Sequence, residues 1–193
     1  MRAIVIFLVF VTANYVSSVP CVALSTWEAT FEAHDHYTGY YARGRMAYDK
    51  TGEKVRTVEA IKGNATVAYD SLYLFNKHAH YRVDLKTKKC SKEALNFKFE
   101  PIEIHANSTY LGEVIIGSLN GIGTGVIVQS WAHKSSSGGQ VFQTFTSHDC
   151  IPVSHSYYGK NSAGKDMHYH FDYYDVRPGV SSPEIFDVPK SCM

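Results

Sequence analysis

Hydrophobic and polar residues alternate along much of this chain with a period of two, not the 3.6 of a helix. Between positions 27 and 34, apolar side chains at odd positions alternate with polar side chains at even positions. The same alternation recurs at 78–85 and at 168–173. Because successive side chains of a strand point to opposite faces, this pattern predicts half-buried strands of an antiparallel sheet.

Other segments are rich in Val, Ile, Thr, Tyr and Phe, a composition that favours strands. They are 45–49, 54–60, 66–75, 125–133, 140–147 and 151–158. Turn-forming residues separate them at 49–52, 118–125 and 135–139. Short helices are predicted at 86–94 and 182–186, the second with Ser182 as its cap and Pro183 in its first turn. We therefore predict an all-β fold of about nine strands in one domain.

The chain begins with a pattern typical of a signal peptide. A single basic residue, Arg2, precedes nine consecutive apolar residues at 3–11. We predict that residues 1–18 are a signal peptide, cleaved after Ser18, and that 19–193 form one domain. A membrane anchor is disfavoured because it needs about 20 apolar residues and polar residues interrupt the run from Thr12 onwards. We expect a secreted protein that is not transmembrane.

The cysteines and the glycosylation motifs agree with export. An even number of cysteines in an exported chain predicts disulfides, and four cysteines leave three pairings open. Two Asn-X-Ser/Thr motifs predict N-linked glycans at Asn64 and Asn107. The cysteines are Cys21, Cys90, Cys150 and Cys192.

The charge balance excludes one class of partner. Without Arg2 the chain has 18 basic and 18 acidic residues, so it lacks the basic excess of a nucleic-acid-binding protein. Its ten histidines would make it cationic at acid pH, which favours anionic partners there.

Motifs of enzymes are missing from the sequence. It has no G-x-S-x-G elbow, no P-loop and no H-E-x-x-H pair, so we expect neither an enzyme nor a cofactor. The histidine pairs His78/His80 and His168/His170 each leave one strand face and are weak candidates for Zn²⁺ or Cu²⁺. The alternative, which we prefer, is a solvated outer face and no metal.

The aromatic residues suggest either a filled core or the wall of an apolar cavity. Fourteen tyrosines and ten phenylalanines fall largely in the strand segments. Their number does not distinguish a filled interior from a hollow one. The candidates for core or pocket wall are Trp27, Phe31, Tyr73, Phe75, Tyr81, Phe142, Phe145, Tyr169 and Phe171.

An ordered series of short motifs resembles the ependymin family along the whole chain after residue 18. Each motif is weak alone, but their order is specific. They are Gly44-Arg45-Met46-Ala47-Tyr48-Asp49, Tyr81-Arg82-Val83-Asp84, Lys89-Cys90-Ser91-Lys92, Ile116-Gly117-Ser118, Asp149-Cys150-Ile151-Pro152-Val153 and Ser182-Pro183-Glu184-Ile185-Phe186.

The resemblance implies a single all-β domain of two curved antiparallel sheets around an apolar pocket, similar to the fold of bacterial lipoprotein carriers. Members of the family are secreted or lysosomal glycoproteins, often homodimeric. Some bind anionic lipids at acid pH, and in others calcium binding is attributed to the sugars. Invertebrate members occur in extracellular matrices, including shell. Vertebrate members can carry a further cysteine pair, which this sequence lacks.

The resemblance also selects the pairing Cys21–Cys150 and Cys90–Cys192 among the three that are open. It implies that the chain binds a hydrophobic or anionic lipid-type ligand in its pocket. The alternative is a structural or adhesive glycoprotein of the extracellular matrix, with calcium-associated sugars and no pocket ligand. We expect secretion to the extracellular space, with the lysosome as the alternative location.

Overall fold

The computed structural model describes residues 20–62, 67–118, 123–160 and 164–193. The predicted signal peptide and Asn64 lie outside these residues. The described chain is almost entirely β-structure, with three short 3-10 helices at Phe75–Lys77, Pro183–Phe186 and Lys190–Cys192. The strands are β1 (Thr26–Asp35), β2 (Tyr40–Asp49), β3 (Lys54–Ile61), β4 (Val67–Leu74), β5 (Ala79–Asp84), β6 (Cys90–Ala94), β7 (Thr109–Gly117), β8 (Gly125–Lys134), β9 (Gln140–Thr146), β10 (Pro152–Lys160) and β11 (Asp166–Pro178).

All eleven strands belong to one antiparallel sheet, in the order β6-β5-β4-β3-β2-β1-β11-β10-β9-β8-β7. Strands β1 to β6 form one meander and β7 to β11 a second. Strand β1 pairs with β2 on one side and with β11 on the other, so it joins the two meanders. The predicted all-β single domain is confirmed. The strands are hydrogen-bonded into one sheet, where the resemblance implied two.

The main core lies on one face of this sheet, which we call the inner face. It is the face that carries Trp27, Phe31 and Tyr48, each at most 1% exposed. In β1 the inward residues are buried and their neighbours are half-buried, as the alternation predicted. The ring of Trp27 stacks on Tyr48 at 5.0 Å and meets Tyr173 edge-on at 5.2 Å. These contacts cross from β2 through β1 to β11 at the centre of the sheet.

A loop covers part of the inner face. Residues 95–108, between β6 and β7, pack Phe99 and Ile102 against the Trp27 cluster. Ile102 also packs against a second cluster, formed around Trp131 and Phe145. The backbone N–H of Ile102 donates a hydrogen bond to the Tyr48 hydroxyl at 3.0 Å. The loop therefore connects the inner surfaces of the two meanders.

The C-terminal segment covers part of the opposite, outer face. Phe186 packs there against Ala47, Leu72 and Leu74. Arg56 binds Asp70 through two side-chain hydrogen bonds and donates a third to the backbone carbonyl of Ile185. The Cys90–Cys192 disulfide then ties the end of the chain to β6.

The second disulfide joins Cys21, ahead of β1, to Cys150, between β9 and β10. Cys150 is buried beside Trp131 and Phe145. The two bridges are the pairing that the resemblance implied. No helix in the described ranges is both long and apolar enough to cross a bilayer.

Two local predictions need correction, and one strand was missed. The segment predicted as a helix at 86–94 instead contains β6, an edge strand paired with β5 and held by a disulfide. Strand β7 was not predicted, because its apolar residues run consecutively without alternating. At 182–186 a 3-10 turn does form with Pro183 in its first turn, but Ser182 makes no capping hydrogen bond through its side chain.

Candidate functional site

Polar and charged groups interrupt the inner face where β3, β4 and β5 lie side by side. Glu59 pairs with Tyr69 across β3 and β4, and Ser71 pairs with Arg82 across β4 and β5. Directly paired residues share a face, so these side chains belong to the same inner surface as Tyr73. We call Tyr40, Glu59, Tyr69, Tyr73 and Arg82 the Glu59–Arg82 patch.

Arg82 is only partly satisfied within this patch. Its guanidinium carbon lies 3.6 Å from the centre of the Tyr69 ring, in cation–π contact. Its Nε is buried and has no hydrogen-bond partner among the described residues. A guanidinium has five N–H donors in a planar fork that matches the oxygens of a carboxylate or phosphate. The patch therefore contains a cationic group with one donor that no described residue satisfies.

Glu59 is the acidic member of the patch and is 8% exposed. The hydroxyl of Tyr40 donates a hydrogen bond to it at 3.5 Å. Burial raises the pKa of Glu59, while the charge of Arg82 and the Tyr40 hydrogen bond act in the opposite direction. Burial likewise raises the pKa of Tyr73 to about 12, so this phenol remains neutral at physiological pH.

Aromatic rings continue from the patch towards the 95–108 loop. Tyr73 stacks on His80 with ring centres 4.3 Å apart and planes nearly parallel. Phe75 contacts Tyr73 and then both Phe97 and Phe99 of the loop. Phe97 is 61% exposed, so this series of rings ends at the surface. The surface thus combines an apolar wall with a cationic group, which suits an amphipathic molecule.

The nine aromatic candidates fall into three positions in the structure. Trp27, Phe31 and Phe145 are fully buried on the inner face. Tyr73, Phe75, Tyr169 and Phe171 are half-buried, and Tyr169 meets Tyr40 edge-on at 6.2 Å. Tyr81 and Phe142 lie on the outer face.

Phe142 is therefore not part of a core or pocket wall on the inner face. It is 38% exposed, because its neighbours Val141 and Gln143 occupy the inward positions of β9. Tyr81 packs under the C-terminal segment with Leu72, and it is part of the outer cluster. The polar Gln143 points inward and the apolar Phe142 points outward, so hydrophobicity alone assigns these two positions of the strand the wrong way round.

The two histidine pairs named from the sequence lie apart. His78 is exposed after the 3-10 turn, and His80 is on the inner face within 3.8 Å of Glu93. His168 and His170 lie on the outer face of β11 beside His34 of β1, at ring distances of 6.4 and 5.0 Å. Burial and the neighbouring histidines lower the pKa of His168.

A groove of about 560 Å³ lies at the ends of β9, β10 and β11. Tyr158, Met167 and the Gly138-Gly139 turn line it, with the Lys160–Asp166 ion pair at its edge. None of the predicted pocket residues lines this groove. Its lining mixes polar and apolar groups, unlike the deep apolar pocket that the resemblance implied.

One group of chemically capable side chains was missed by the sequence analysis. Glu100 and His105 come from the 95–108 loop and meet His133 of β8. The loop residues follow no strand periodicity, so no pattern in the sequence could bring them together with β8. The sequence offered one signal for this group: His133 comes two residues after Trp131, so both side chains are expected on the same face of the strand.

Comparisons with known proteins identify the family. The Ependymin family profile matches residues 63–192. The ependymin of Notemigonus crysoleucas is 35% identical over 159 residues, which are 78% of this chain and 69% of that protein. The mammalian ependymin-related protein 1 of Mus musculus is 24% identical over 179 residues, 90% of this chain and 76% of the relative.

Two further matches extend the comparison. Ependymin-related protein 1 of Haliotis asinina is 26% identical over 163 residues, covering 79% of this chain and 75% of the relative. The crystal structure of an uncharacterized conserved protein from Thermus thermophilus superposes with a TM-score of 0.51, at 11% identity and 86% coverage of both chains. That structural likeness supports the fold alone. From the profile and the sequence relatives, this chain belongs to the ependymin family.

Proposed function

We propose that this protein is a secreted binding protein for an amphipathic, anionic lipid-type ligand. The observation that carries the proposal is the Glu59–Arg82 patch, where a buried guanidinium donor without a partner in the described chain lies next to half-exposed aromatic rings. The acyl part of the ligand would lie along Tyr73, Phe75 and Phe99, and its acidic head would bind Arg82. Two disulfides support secretion, because such bonds persist in oxidising compartments such as the extracellular space.

A second candidate function is assembly in an extracellular matrix, with calcium held by the glycans. One feature favours it. The β7–β8 hairpin exposes a run of large apolar residues at the edge of the sheet, and such surfaces mark interaction sites, including homodimer contacts. The exposed residues are Leu111, Val114, Ile115, Ile116, Val126 and Ile127.

Native mass spectrometry of protein purified from a secretory expression host distinguishes the two functions. We expect the mass of one lipid per chain above the glycosylated polypeptide, removed by gentle organic extraction. The same extract, analysed by negative-ion mass spectrometry, should contain an acidic lipid. A mass without any bound lipid, together with assembly that requires calcium, would favour the matrix function and contradict lipid carriage.

A further inference from the structure

Three side chains that can bind a metal converge at the C-terminal end of β8, away from the Glu59–Arg82 patch. They are Glu100, His105 and His133, and each offers one ligand atom within 4.8 Å of the others. Nε2 of His133 lies 3.6 Å from Oε1 of Glu100. The rings of His105 and His133 have their centres 4.2 Å apart.

The imidazole nitrogens at this point lack the partners that burial demands. His133 is 5% exposed, and neither of its ring nitrogens has a hydrogen-bond partner in the described chain. Nε2 of His105 is also buried without a described partner. An unsatisfied buried polar group costs about 1–3 kcal/mol, so leaving several together is expensive. A bound cation would satisfy the nitrogen lone pairs and the facing carboxylate oxygen at once.

Surrounding residues hold the carboxylate and the strand in place. The hydroxyl of Ser135 donates to Oε2 of Glu100 at 2.7 Å, which leaves Oε1 directed at His133. Ser135 also contacts Ser137 at 2.8 Å. The side-chain amide of Gln140 donates to the backbone carbonyl of His133 at 2.9 Å. Hydrogen bonds of this kind orient metal ligands and tune their basicity.

We propose that Glu100, His105 and His133 form a binding site for a divalent transition metal, with Zn²⁺ as the best match. Two imidazoles and one carboxylate are ligands that Zn²⁺ accepts, at about 2.0–2.2 Å and in tetrahedral geometry. That geometry separates donor atoms by about 3.4 Å, close to the 3.6 Å between His133 and Glu100. Because Glu100 and His105 lie in a loop, they close the remaining gap more easily than two strand residues would. A fourth position remains for water or another ligand.

Equilibrium titration of the full folded protein with Zn²⁺ against a chromogenic chelator tests the site. We expect one Zn²⁺ per chain for the wild type. Glu100→Gln and His105→Gln should each weaken binding by at least about 100-fold, since even the loss of a residue that only hydrogen-bonds a metal ligand costs about 10–100-fold. Ser135→Ala should weaken Zn²⁺ binding by about 10–100-fold, because Ser135 only hydrogen-bonds the ligand Glu100. His148→Gln is the matched control, because His148 is exposed and lies outside the cluster.

Circular dichroism of each variant confirms that it is folded before its affinity is compared. Ca²⁺ should not compete, because it prefers oxygen ligands to imidazole. No Zn²⁺ binding by the folded wild type, or binding that survives both Glu100→Gln and His105→Gln, would overturn the proposal. Equal competition by Ca²⁺ would also overturn it.

Discussion

The guanidinium of Arg82 lies against the ring face of Tyr69 at 3.6 Å, on the neighbouring strand of the inner face. The ring stabilises the positive charge through its quadrupole but accepts no conventional hydrogen bond from it. Glu59 is a nearby acidic group whose pKa the charge of Arg82 lowers, and the described residues show no salt bridge between the two side chains. Arg82 is therefore held in place while its Nε has no hydrogen-bond partner among the described residues, and this relationship underlies the proposed ligand site.

The Arg56–Asp70 pair should stabilise the fold measurably. Its side chains are 20% and 15% exposed, and the guanidinium also binds the carbonyl of Ile185. We expect Asp70→Asn to lower the free energy of unfolding by about 2 kcal/mol, because it removes a charge-assisted pair from a partly buried guanidinium. Denaturant unfolding measures the change. Asp166→Asn removes an ion pair that is more than 60% exposed, and it should cost less than about 1 kcal/mol. Equal losses in the two variants would contradict this prediction.

The disulfides should contribute through the long loops that they close. Cys21 and Cys150 are 129 residues apart, and Cys90 and Cys192 are 102 apart. Replacing either pair with serine should cost about 2–5 kcal/mol, because the unfolded chain regains entropy. Thermal unfolding of both variants tests the cost. Non-reducing peptide mapping tests the pairing itself, and a peptide joining Cys21 to Cys192 would refute it.

Stability should fall in acid because of a half-buried histidine on the inner face. Burial lowers the pKa of His155 from 6.5 to about 4, with Glu100 opposing the shift and His133, His170 and His105 adding to it. Between pH 4 and pH 6.5, roughly, His155 binds a proton in the unfolded chain but not in the folded chain. The free energy of unfolding therefore decreases as pH falls from about 6.5 to about 4, by about 3 kcal/mol from this group.

The contribution of His155 can be isolated with His155→Gln. Denaturant unfolding at pH 7, 5.5 and 4.5, with chelator present, should show a shallower loss of stability for the variant than for the wild type. Other histidines with lowered pKa values, His80, His133 and His168, leave a residual slope in both proteins. Identical pH profiles would contradict the assignment.

Asn107 should carry an N-linked glycan. It is exposed in the turn before β7, in an Asn-Ser-Thr motif. Enzymatic deglycosylation should increase gel mobility, and Asn107→Gln should remove one glycan's share of the shift. Any mobility shift that deglycosylation still causes in Asn107→Gln would come from a glycan at Asn64. A mobility of Asn107→Gln identical to that of the wild type would contradict the prediction.

The sequence predicts the strands better than it predicts the site. Each segment assigned as a strand overlaps one in the structure, because burial on one face forces alternation. Strand β6 has the sequence CSKEA and is mostly exposed at an edge, so it carries no such signal.

The site depends on exceptions to the same rule. Glu59 and Arg82 point inward, where alternation predicts apolar residues. The outer histidines meet only because the register places His34 opposite His170. Glu100 and His105 reach His133 from a loop, and no periodicity describes a loop. These placements depend on strand register and loop path, which single-sequence patterns do not encode.

The central claim is that Arg82 recognises the acidic head of a lipid on the inner face. The most direct test is equilibrium binding of delipidated protein to two phospholipids with the same acyl chains, one anionic and one zwitterionic. Arg82→Met keeps most of the side chain's length and removes its charge. Arg43→Met is the control, because Arg43 is 65% exposed on the outer face.

We expect the wild type and Arg43→Met to prefer the anionic lipid. Arg82→Met should lose about 10- to 100-fold in affinity for that lipid, the equivalent of one charged hydrogen bond, and should bind the zwitterionic lipid as the wild type does. Unchanged affinity of folded Arg82→Met for the anionic lipid would contradict the account.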